Sequence, residues 1–414
     1  MEESEMVTAT RLRDEIDEIL PGLIADRRYL HENPELGCEE VVTSAFVIDR
    51  LQALGVEDIR TGINVTGVTG LIHGSAASDD PARVVLVRAD MDALPIHEEN
   101  DVEYRSQIDG KMHACGHDAH TAILLGLART LMTRRNEFAG TVKLLFQPSE
   151  ERGPGGAKMM IEAGVLEDPH VDACFALHMA QDAPLGTIIV KDGPLLAASD
   201  RFSIEIQGKG GHAAHPDRTV DPVVVGAHVI TALQAIVSRN VDPIEPAVIT
   251  VGSLHAGHAA NVIPDTAQIL GTVRTLNPDV QALIVKRIEE VATGVCTALG
   301  ASATFDYTYG VPATINDGGA VAIVREAATA AVGADKVITP NPSMGGEDFS
   351  FFLNERPGAM FMVGSNNPDR GLIWGHHHPR FDIDEESLAT GLETMTLTVL
   401  NYLERGLTVQ SGNA

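Results

Sequence analysis

The fold is decided by the stretch RVVLVRADMD, residues 83–92, in which an apolar run of strand-forming residues ends at two aspartates. A short run that is apolar on both faces is typical of a strand buried inside a parallel sheet. Two further runs follow the same plan and end in polar side chains: Thr141–Phe146 before Gln147–Glu151, and Asp172–Leu177 before His178. Open α/β sheets bind ligands beyond the carboxyl ends of their strands. We therefore predict one site to which all three strand ends contribute.

Helical patterns alternate with these strands, and the alternation predicts an α/β fold with a mostly parallel sheet. A helix is predicted for His120–Arg135, where apolar residues recur at helical spacing. After an interruption the same pattern resumes from Pro312, with a helix near Gly319–Val332, an apolar run Ala359–Val363 and a last helix near Glu385–Arg405.

The interrupting segment, residues 198–311, has a different pattern: apolar and polar residues alternate along its predicted strands, and two helices are predicted among them. The predicted elements follow the order βαββαβ: Arg201–Gln207, Asp221–Arg239, Ala247–Leu254, Thr266–Arg274, Pro278–Leu299 and Ala303–Tyr309. This order is the ferredoxin-like plan. We therefore predict an α/β domain formed by residues 1–197 and 312–414, with residues 198–311 as an inserted domain.

Composition excludes several classes of protein. The chain has 414 residues, 44% of them apolar and 21% charged, which fits a globular protein with room for two domains. Its 58 Asp and Glu against 30 Lys and Arg give a net charge of −28, which argues against binding nucleic acid or an anionic membrane. Residues 1–20 do not resemble a signal peptide, and no apolar run approaches the ~18–20 residues that span a bilayer. With four widely spaced cysteines, we expect a cytoplasmic protein without disulfides.

The densest cluster of candidate metal ligands is HACGHDAH, residues 113–120. Thiolate and imidazole groups bind zinc and similar divalent ions. Cys115 and His117 can aim at one point if a loop holds them. The alternative is a loop of hydrogen-bonded histidines with an inert thiol.

Carboxylates that follow two of the strands extend this cluster. In the run QPSEE, Glu150 and Glu151 point in different directions, so one can bind a metal while the other removes a proton from water. Asp92 can orient a ligand. The alternatives are a solvated pair of glutamates and an aspartate that caps a loop. His178 and the run His376–His378 offer further imidazoles, with a core histidine and a solvated loop as their alternatives.

Nine motifs occur in order along the chain: RADMDALPI (88–96), MHACGHDAHTA (112–122), FQPSEE (146–151), ALHM (176–179), GKGGHAAHP (208–216), NVIPD (261–265), GTVRT (271–275), GGEDFS (345–350) and HHPRFDIDE (377–385). Together they resemble the M20 metallopeptidase family. More narrowly, they are similar to its amidohydrolase branch of hippurate hydrolases, N-acyl-amino-acid hydrolases and auxin-conjugate hydrolases. The resemblance implies a zinc-peptidase-like α/β domain and a lid that also serves in dimerisation.

The resemblance also implies two divalent metal ions per subunit, which could be zinc, manganese, cobalt or nickel. Five residues would bind them: Cys115, His117, Glu151, His178 and His377. The sulfur of Cys115 would bridge the two ions, and Glu150 would be the general base. His377 is chosen over His378 because the family's His-x-Pro pattern matches residues 377–379.

In the inserted domain the resemblance assigns three residues to the substrate. His212 would donate a hydrogen bond to the developing oxyanion. Arg274 and Asn261 would hold the free α-carboxylate. The alternatives are a loop histidine and a strand arginine in a surface ion pair. Because the family commonly pairs its lid domains, we also predict a homodimer.

The predicted activity is hydrolysis of the amide bond of N-acyl-amino acids by a metal-bound hydroxide, with Glu150 as general base. The alternative is a dipeptidase or carboxypeptidase of the same family. Such an enzyme needs a carboxylate for the ammonium group of its substrate, and the sequence identifies none. A relative that binds metal or peptide without catalysis is disfavoured, because Glu150 and all five ligands are present.

Overall fold

The computed structural model describes residues 2–78, 80–153 and 155–407. The chain divides into two compact units. The first unit comprises Met1–Gly193, Ile315–Asn341 and Phe351–Ala414, and the second comprises Pro194–Thr314 and Pro342–Ser350. The second unit contains the region in which the sequence predicts an inserted domain.

Most elements of the first unit precede the second unit in the chain. They are α1 (Glu2–Glu32), α2 (Val41–Leu54), β1 (Glu57–Ile63), β2 (Gly67–His73), β3 (Val84–Asp90), α3 (His117–Thr133), β4 (Thr141–Gln147), α4 (Gly156–Glu162), β5 (Ala173–Pro184) and β6 (Ile188–Ile189).

The second unit then follows. Its region contains β7 (Gly193–Leu196), β8 (Ala198–Gln207), β9 (Gly211–His212), α5 (Pro222–Arg239), β10 (Ala247–Ala256), β11 (Val262–Ile263), β12 (Thr266–Thr275), α6 (Pro278–Ala298) and β13 (Ser302–Val311). The remaining elements are β14 (Thr314–Asn316), α7 (Gly318–Val332), β15 (Val337–Ile338), α8 (Ser350–Glu355), β16 (Gly358–Asn366) and α9 (Ser387–Arg405).

The first unit is built on one mixed sheet with the strand order β1-β2-β4-β3-β5-β16-β6-β15. Its four central strands, β4, β3, β5 and β16, are parallel. Antiparallel pairs lie on either side: β1 with β2, β2 with β4, and β16 with β6. The predicted α/β fold is confirmed, and the parallel character predicted for the sheet belongs to its centre. A short turn between β1 and β2 leaves no room for a helical crossover, so that pair is antiparallel.

The central strands are buried on both faces, which is why their sequences lack polar alternation. Val85, Leu86 and Val87 of β3 are at most 2% exposed. The pairing register places Asp90 opposite Gln147 on β4, and Arg88 opposite Ala176 on β5. The polar residues that follow these three strands therefore emerge along the same edge of the sheet.

The second unit has an antiparallel sheet of order β10-β12-β8-β13, with α5 and α6 packed on it. The sequence order of these elements is βαββαβ, as predicted. Both helices begin at a side-chain cap: the Asp221 carboxylate accepts from the N–H of Val223, and the Asn277 side chain accepts from the N–H of Asp279. A two-stranded pair, β9 with β11, is separate from this sheet.

Helix α5 is long and apolar enough to cross a membrane by length and composition alone. The expectation that no apolar run approaches this length was therefore wrong. One face of α5 packs on the core of the second unit through Val225, Val229, Leu233 and Ile236. A core helix of a soluble domain passes the same test, so this helix is weak evidence for a membrane.

Candidate metal and catalytic site

Backbone contacts between loops at the edge of the sheet place the candidate ligands. Cys115 precedes α3, and Gly116 enters that helix in the left-handed region at φ 90°. The N–H of His377 donates to the carbonyl oxygen of Ala114 over 2.8 Å. The C-terminal histidine loop is thereby tied to the cysteine loop, although the two are far apart in sequence. His377 itself has φ 63°, a strained value for a residue with a side chain.

Five predicted ligands lie together in two groups that share one sulfur. The ligand atoms of Cys115, His117 and His178 all lie within 4.8 Å of one another, and so do those of Cys115, Glu151 and His377. The Cys115 Sγ to His178 Nε2 distance is 3.6 Å, and the His377 Nε2 to Glu151 Oε1 distance is 3.1 Å. A thiol common to both groups is the arrangement that a bridging ligand needs.

Hydrogen bonds leave the correct nitrogen of two histidines facing the site. Nδ1 of His117 lies 2.9 Å from the carbonyl oxygen of Asp92, and Nδ1 of His178 lies 2.7 Å from that of Met179. Because a carbonyl oxygen only accepts, each Nδ1 carries a proton, and Nε2 is the nitrogen that presents a lone pair in the neutral ring that binds a metal. Nε2 of His117 is buried without a hydrogen-bond partner. An unpartnered buried acceptor among these donors fits a divalent cation.

His120 belongs to the same sequence cluster but is fully engaged elsewhere. Its Nε2 accepts the N–H of Met179 over 2.8 Å, so its Nδ1 donates to Asp90 Oδ1 over 2.6 Å. The second oxygen of Asp90 accepts from Arg88 over 2.6 Å. Burial lowers the pKa of His120 to about 4. His120 therefore has no lone pair left for a metal. Asp90 is held by these two hydrogen bonds, and its Oδ2 also lies 3.7 Å from Nε2 of His117.

The charges around the ligands shift several pKa values. Burial raises the pKa of the Cys115 thiol well above its ordinary range, although the neighbouring His117 opposes the shift. Burial also acts to raise the pKa of Glu151, but the hydrogen bond from His377 and the charge of His117 outweigh it and lower the value. These groups are desolvated and close together, which is how protein metal sites are commonly built.

Asp92 holds the backbone that carries both glutamates. Its Oδ1 accepts from the N–H of Glu150, and its Oδ2 accepts from the N–H of Glu151, each over 3.0 Å. Asp92 is only 1% exposed, so water does not compete for these bonds. The sequence predicted that Asp92 would orient a ligand. Its Oδ1 also lies 3.3 Å from Nδ1 of His117, so it contacts a predicted ligand directly as well as through the main chain.

The three consecutive histidines near the C-terminus have different surroundings. His378 stacks on Trp374 with ring centroids 4.2 Å apart, and its Nδ1 accepts from the N–H of Arg380. His376 lies with its ring centroid 5.3 Å from that of His178, and burial lowers its pKa to about 2. His377 is the one whose Nε2 reaches Glu151. This geometry agrees with the selection of His377.

A buried ionic network, which the sequence analysis did not find, anchors the start of α3. Asp118, next to His117, lies 2.8 Å from Arg27 and 2.7 Å from His31, both on α1. Arg27 also contacts Asp382 over 2.8 Å. Burial acts to lower the pKa of His31, but Asp118 and Glu98 outweigh it and raise the value to about 9. Removing one member would leave buried charges unpaired, at a cost of about 3–5 kcal/mol.

His212 and Asn261 come together in the second unit. His212 on β9 pairs with Val262 on β11, and the N–H of Ala213 donates to the carbonyl oxygen of Asn261 over 3.2 Å. The N–H of Ala214 donates to Nδ1 of His212, so its exposed Nε2 carries the proton in the neutral ring. The structure therefore presents a histidine donor beside an exposed asparagine.

Arg274 lies on β12, in the same unit. It donates to the carbonyl oxygen of Val273 over 3.1 Å and forms no ion pair within residues 2–78, 80–153 and 155–407. Burial and the nearby charge of Arg201 act to lower its pKa, against the opposing effect of Asp200. The alternative of an ordinary surface ion pair is therefore not what this structure shows.

Comparisons with known proteins identify one family. The model of peptidase family M20/M25/M40 matches residues 86–401. The chain is 42% identical to N-acetylcysteine deacetylase of Bacillus subtilis over 92% of this chain and 97% of that protein. It is 37% identical to thermostable carboxypeptidase 2 of Saccharolobus solfataricus over 95% of this chain and 98% of that one. The structure of YXEP from Bacillus subtilis, described as a dinuclear metal-binding peptidase of the M20 family, superposes with a TM-score of 0.82 at 36% identity, covering 94% of this chain and 99% of that one.

Proposed function

This chain belongs to peptidase family M20/M25/M40 and is a hydrolase of amide bonds, and we propose that it removes the acyl group from N-acyl-amino acids. The observation that carries the proposal is the pair of ligand groups that share Cys115, with Glu150 beside them. Glu150, Glu151 and His117 bring their ligand atoms within 4.8 Å of one another. One glutamate can therefore bind metal while its neighbour faces the reacting water.

The metal-binding set in this proposal is Cys115, His117, Glu151, His178 and His377. Divalent ions bound there would supply Lewis acidity, which lowers the pKa of water and polarises the amide carbonyl. Two ions suit two ligand groups, as in the dinuclear relative. The mixed sulfur, nitrogen and oxygen donors suit zinc, manganese, cobalt or nickel.

Glu150 moves the proton in this reaction. Its carboxylate takes a proton from the attacking water and returns it to the amine nitrogen as the amide bond breaks. Its position depends on Asp92, which fixes the backbone N–H groups of Glu150 and Glu151. A carboxylate on a fixed backbone loses little freedom when it reaches for the water.

Residues of the second unit are proposed to bind the amino-acid half of the substrate. Among the residues that the structure describes, no carboxylate pairs with the guanidinium group of Arg274. A substrate carboxylate would accept hydrogen bonds from its N–H groups. The side-chain amide of Asn261 would be a further donor, but Asn261 precedes the start of β12 and Arg274 lies near its end, so in one chain the two do not reach the same carboxylate. His212, with a proton on Nε2, would donate to the oxyanion that develops during attack.

A carboxypeptidase activity is the second candidate, because the relative from Saccharolobus solfataricus carries that name. The two activities differ in whether the substrate has a free ammonium group. Two acidic side chains of the first unit near the ligands are already engaged: both oxygens of Asp92 and both of Asp90 accept hydrogen bonds. We therefore favour the N-acyl substrates, which carry no such cation.

A substrate panel tests this choice. The protein is stripped of metal, reconstituted separately with zinc, manganese, cobalt and nickel, and assayed on N-acetyl and N-benzoyl amino acids beside the matching free dipeptides. We expect kcat/KM to be ~100-fold or more higher on the N-acyl substrates, because an ammonium group without a partner is costly to desolvate. Equal rates on the free dipeptides would instead favour the peptidase.

We further propose that two copies pair through α5 of the second unit. Its outward face carries Val223 and Val224, which are 41% and 52% exposed, followed by the exposed Ala227 and His228. The helix contains no acidic residue, in a chain whose net charge is −28. An uncharged apolar face on so acidic a protein is typical of an interface.

Val224→Asp should therefore weaken self-association by roughly 100-fold, because it places a charge at both copies of the buried patch. Light scattering over a range of concentrations measures the effect, and circular dichroism checks the fold. Thr293→Asp on the exposed face of α6 is the matched control, because it adds the same charge to the same unit. A fully active wild-type monomer, or a Val224→Asp protein that associates like wild type, contradicts this interface.

A further inference from the structure

The turn that carries the two glutamates has a strained backbone. Ser149, directly before Glu150, has φ 60°, in the left-handed region. For a residue with a Cβ this conformation costs about 1 kcal/mol or more. Its three successive N–H groups, those of residues 149, 150 and 151, all donate to buried carboxylates. Asp92 accepts two of them, and the third goes to a residue that the proposed reaction does not use.

That residue is Glu40, which lies at the start of α2 and is 0% exposed. Its Oε1 accepts the N–H of Ser149 over 2.9 Å, and its Oε2 accepts the hydroxyl of Thr66 over 2.6 Å. Both oxygens are therefore directed by hydrogen bonds. Burying a carboxylate is costly, because it removes a charge from water. A buried carboxylate that supports a strained residue therefore indicates a function for that strained conformation.

The segment that leads into Glu40 is shaped to the turn. A Cβ on Gly37 would lie 2.7 Å from Oγ and 3.0 Å from Cα of Ser149, which is too close for any other residue at that position without a shift. The carbonyl oxygen of Ser149 accepts the N–H of Gly156 over 2.8 Å. Hydrogen bonds therefore hold both the N–H and the carbonyl oxygen of Ser149, and Gly37 packs closely against its Cα and side chain.

We propose that Glu40 is a positioning residue for the general base: it holds Ser149 in the left-handed conformation that directs Glu150 to the reacting water. The inference rests on the proposed function, in which Glu150 moves the proton. Glu40 acts through the Ser149 backbone and touches neither substrate nor the metal-binding set. It works together with Asp92, so that two buried carboxylates on different elements clamp one three-residue turn.

A purely structural role for Glu40 has different consequences. Loss of a buried hydrogen bond lowers the free energy of unfolding of the whole unit without acting specifically on turnover. Loss of a positioning contact instead lowers kcat more than it changes KM, because a displacement of about 1 Å at a catalytic group can cost ~100-fold in rate. The turn itself should then open locally, which amide hydrogen exchange detects.

The experiment compares Glu40→Ala, Glu40→Gln and Glu39→Ala in the full chain. Glu39 is the matched control, because it is the preceding residue and its side chain is 52% exposed. Its ion pairs with Lys111 over 3.1 Å and with Arg152 over 3.8 Å lie at the surface, where such pairs contribute little. Two readouts are taken: kcat and KM on an N-acetyl amino acid, and hydrogen exchange of the metal-free protein in peptides spanning residues 147–153.

For Glu40→Ala we expect kcat to fall by ~30-fold or more with KM within about three-fold, and exchange to rise by ~10-fold or more at residues 149–151. Glu40→Gln keeps an acceptor for the N–H of Ser149 and should recover most of kcat. Glu39→Ala should match wild type in both readouts. The exchange measurement uses no substrate or metal, so it reports on the clamp even if the wild-type protein does not hydrolyse N-acyl-amino acids.

Two results would overturn the inference. One is a Glu40→Ala protein with kcat within two-fold of wild type and unchanged exchange at residues 149–151. The other is a rise in exchange spread evenly over the first unit, with kcat/KM falling only as the folded fraction falls. In that second case Glu40→Gln would be as stable as wild type while Glu40→Ala would not, and Glu40 would have a structural role alone.

Discussion

Glu150→Gln should lower kcat by ~1,000-fold or more while leaving the bound metal nearly unchanged. General-base catalysis by a positioned carboxylate typically contributes ~100- to 10,000-fold, and the amide of Gln cannot take a proton at neutral pH. The substitution keeps the size of the side chain and both hydrogen bonds from the backbone of residues 150 and 151 to Asp92. The measurement pairs kcat on an N-acetyl amino acid with metal content determined by elemental analysis of the same sample.

A control variant and two contrary outcomes complete the test of Glu150. Glu162→Gln changes an exposed glutamate at the end of α4 and should leave both kcat and metal content as in wild type. If Glu150→Gln hydrolyses the substrate at the wild-type rate, Glu150 is not the base. If it loses metal together with activity, Glu150 is a ligand, a role that its proximity to His117 and Glu151 also allows.

Much of this site was predictable because strand ends carry a clear sequence signal. Apolar runs mark the central strands, and a parallel sheet brings their carboxyl ends to one edge. Asp92, Glu150, Glu151 and His178 could therefore be assigned to one place before any coordinates. The pairing of Asp90 with Gln147 across β3 and β4 is the physical link between the sequence pattern and the site.

What escaped prediction depends on contacts between residues distant in sequence. The ion pairs of Arg27 with Asp118 and Asp382 join α1 to the start of α3 and to a remote loop, and no local pattern marks them. Spacing also could not separate His117 from His120, since both follow Cys115 closely. Their hydrogen-bond partners separate them: the Nε2 of His117 has none, whereas the Nε2 of His120 accepts from Met179.

Two-residue strands and the strained backbone of Ser149 also leave no local pattern in the sequence, so they could not be predicted from it. The strands β9 and β11 have two residues each, too few to show alternation, yet they place His212 beside Asn261. Ser149 could be read in the sequence only as a small residue before two glutamates. Its left-handed backbone, and the carboxylate of Glu40 that supports it, follow from tertiary packing.

Cys115→Ala should remove both metal ions, whereas His178→Ala or His377→Ala should mainly weaken one. The reason is the geometry of the two ligand groups, which share the sulfur of Cys115 and no other atom. Loss of a residue that merely orients a ligand costs ~10- to 100-fold in metal affinity, so loss of a shared ligand should cost ~100-fold or more at both sites. Titration of the metal-free protein with cobalt, followed by absorbance and by elemental analysis, measures the stoichiometry for each variant.

The shared sulfur also makes this prediction separable from loss of folding. Cys115 is only partly exposed and lies in the loop before α3, so the metal-free variant should unfold at nearly the wild-type temperature. Cys296→Ala, a buried cysteine of α6 in the second unit, is the control that should keep full metal content. If Cys115→Ala still binds two ions with wild-type affinity, the sulfur is not a bridge. The four remaining ligands would then have to form two independent sites with two protein ligands each, which is fewer than the three that catalytic zinc sites use.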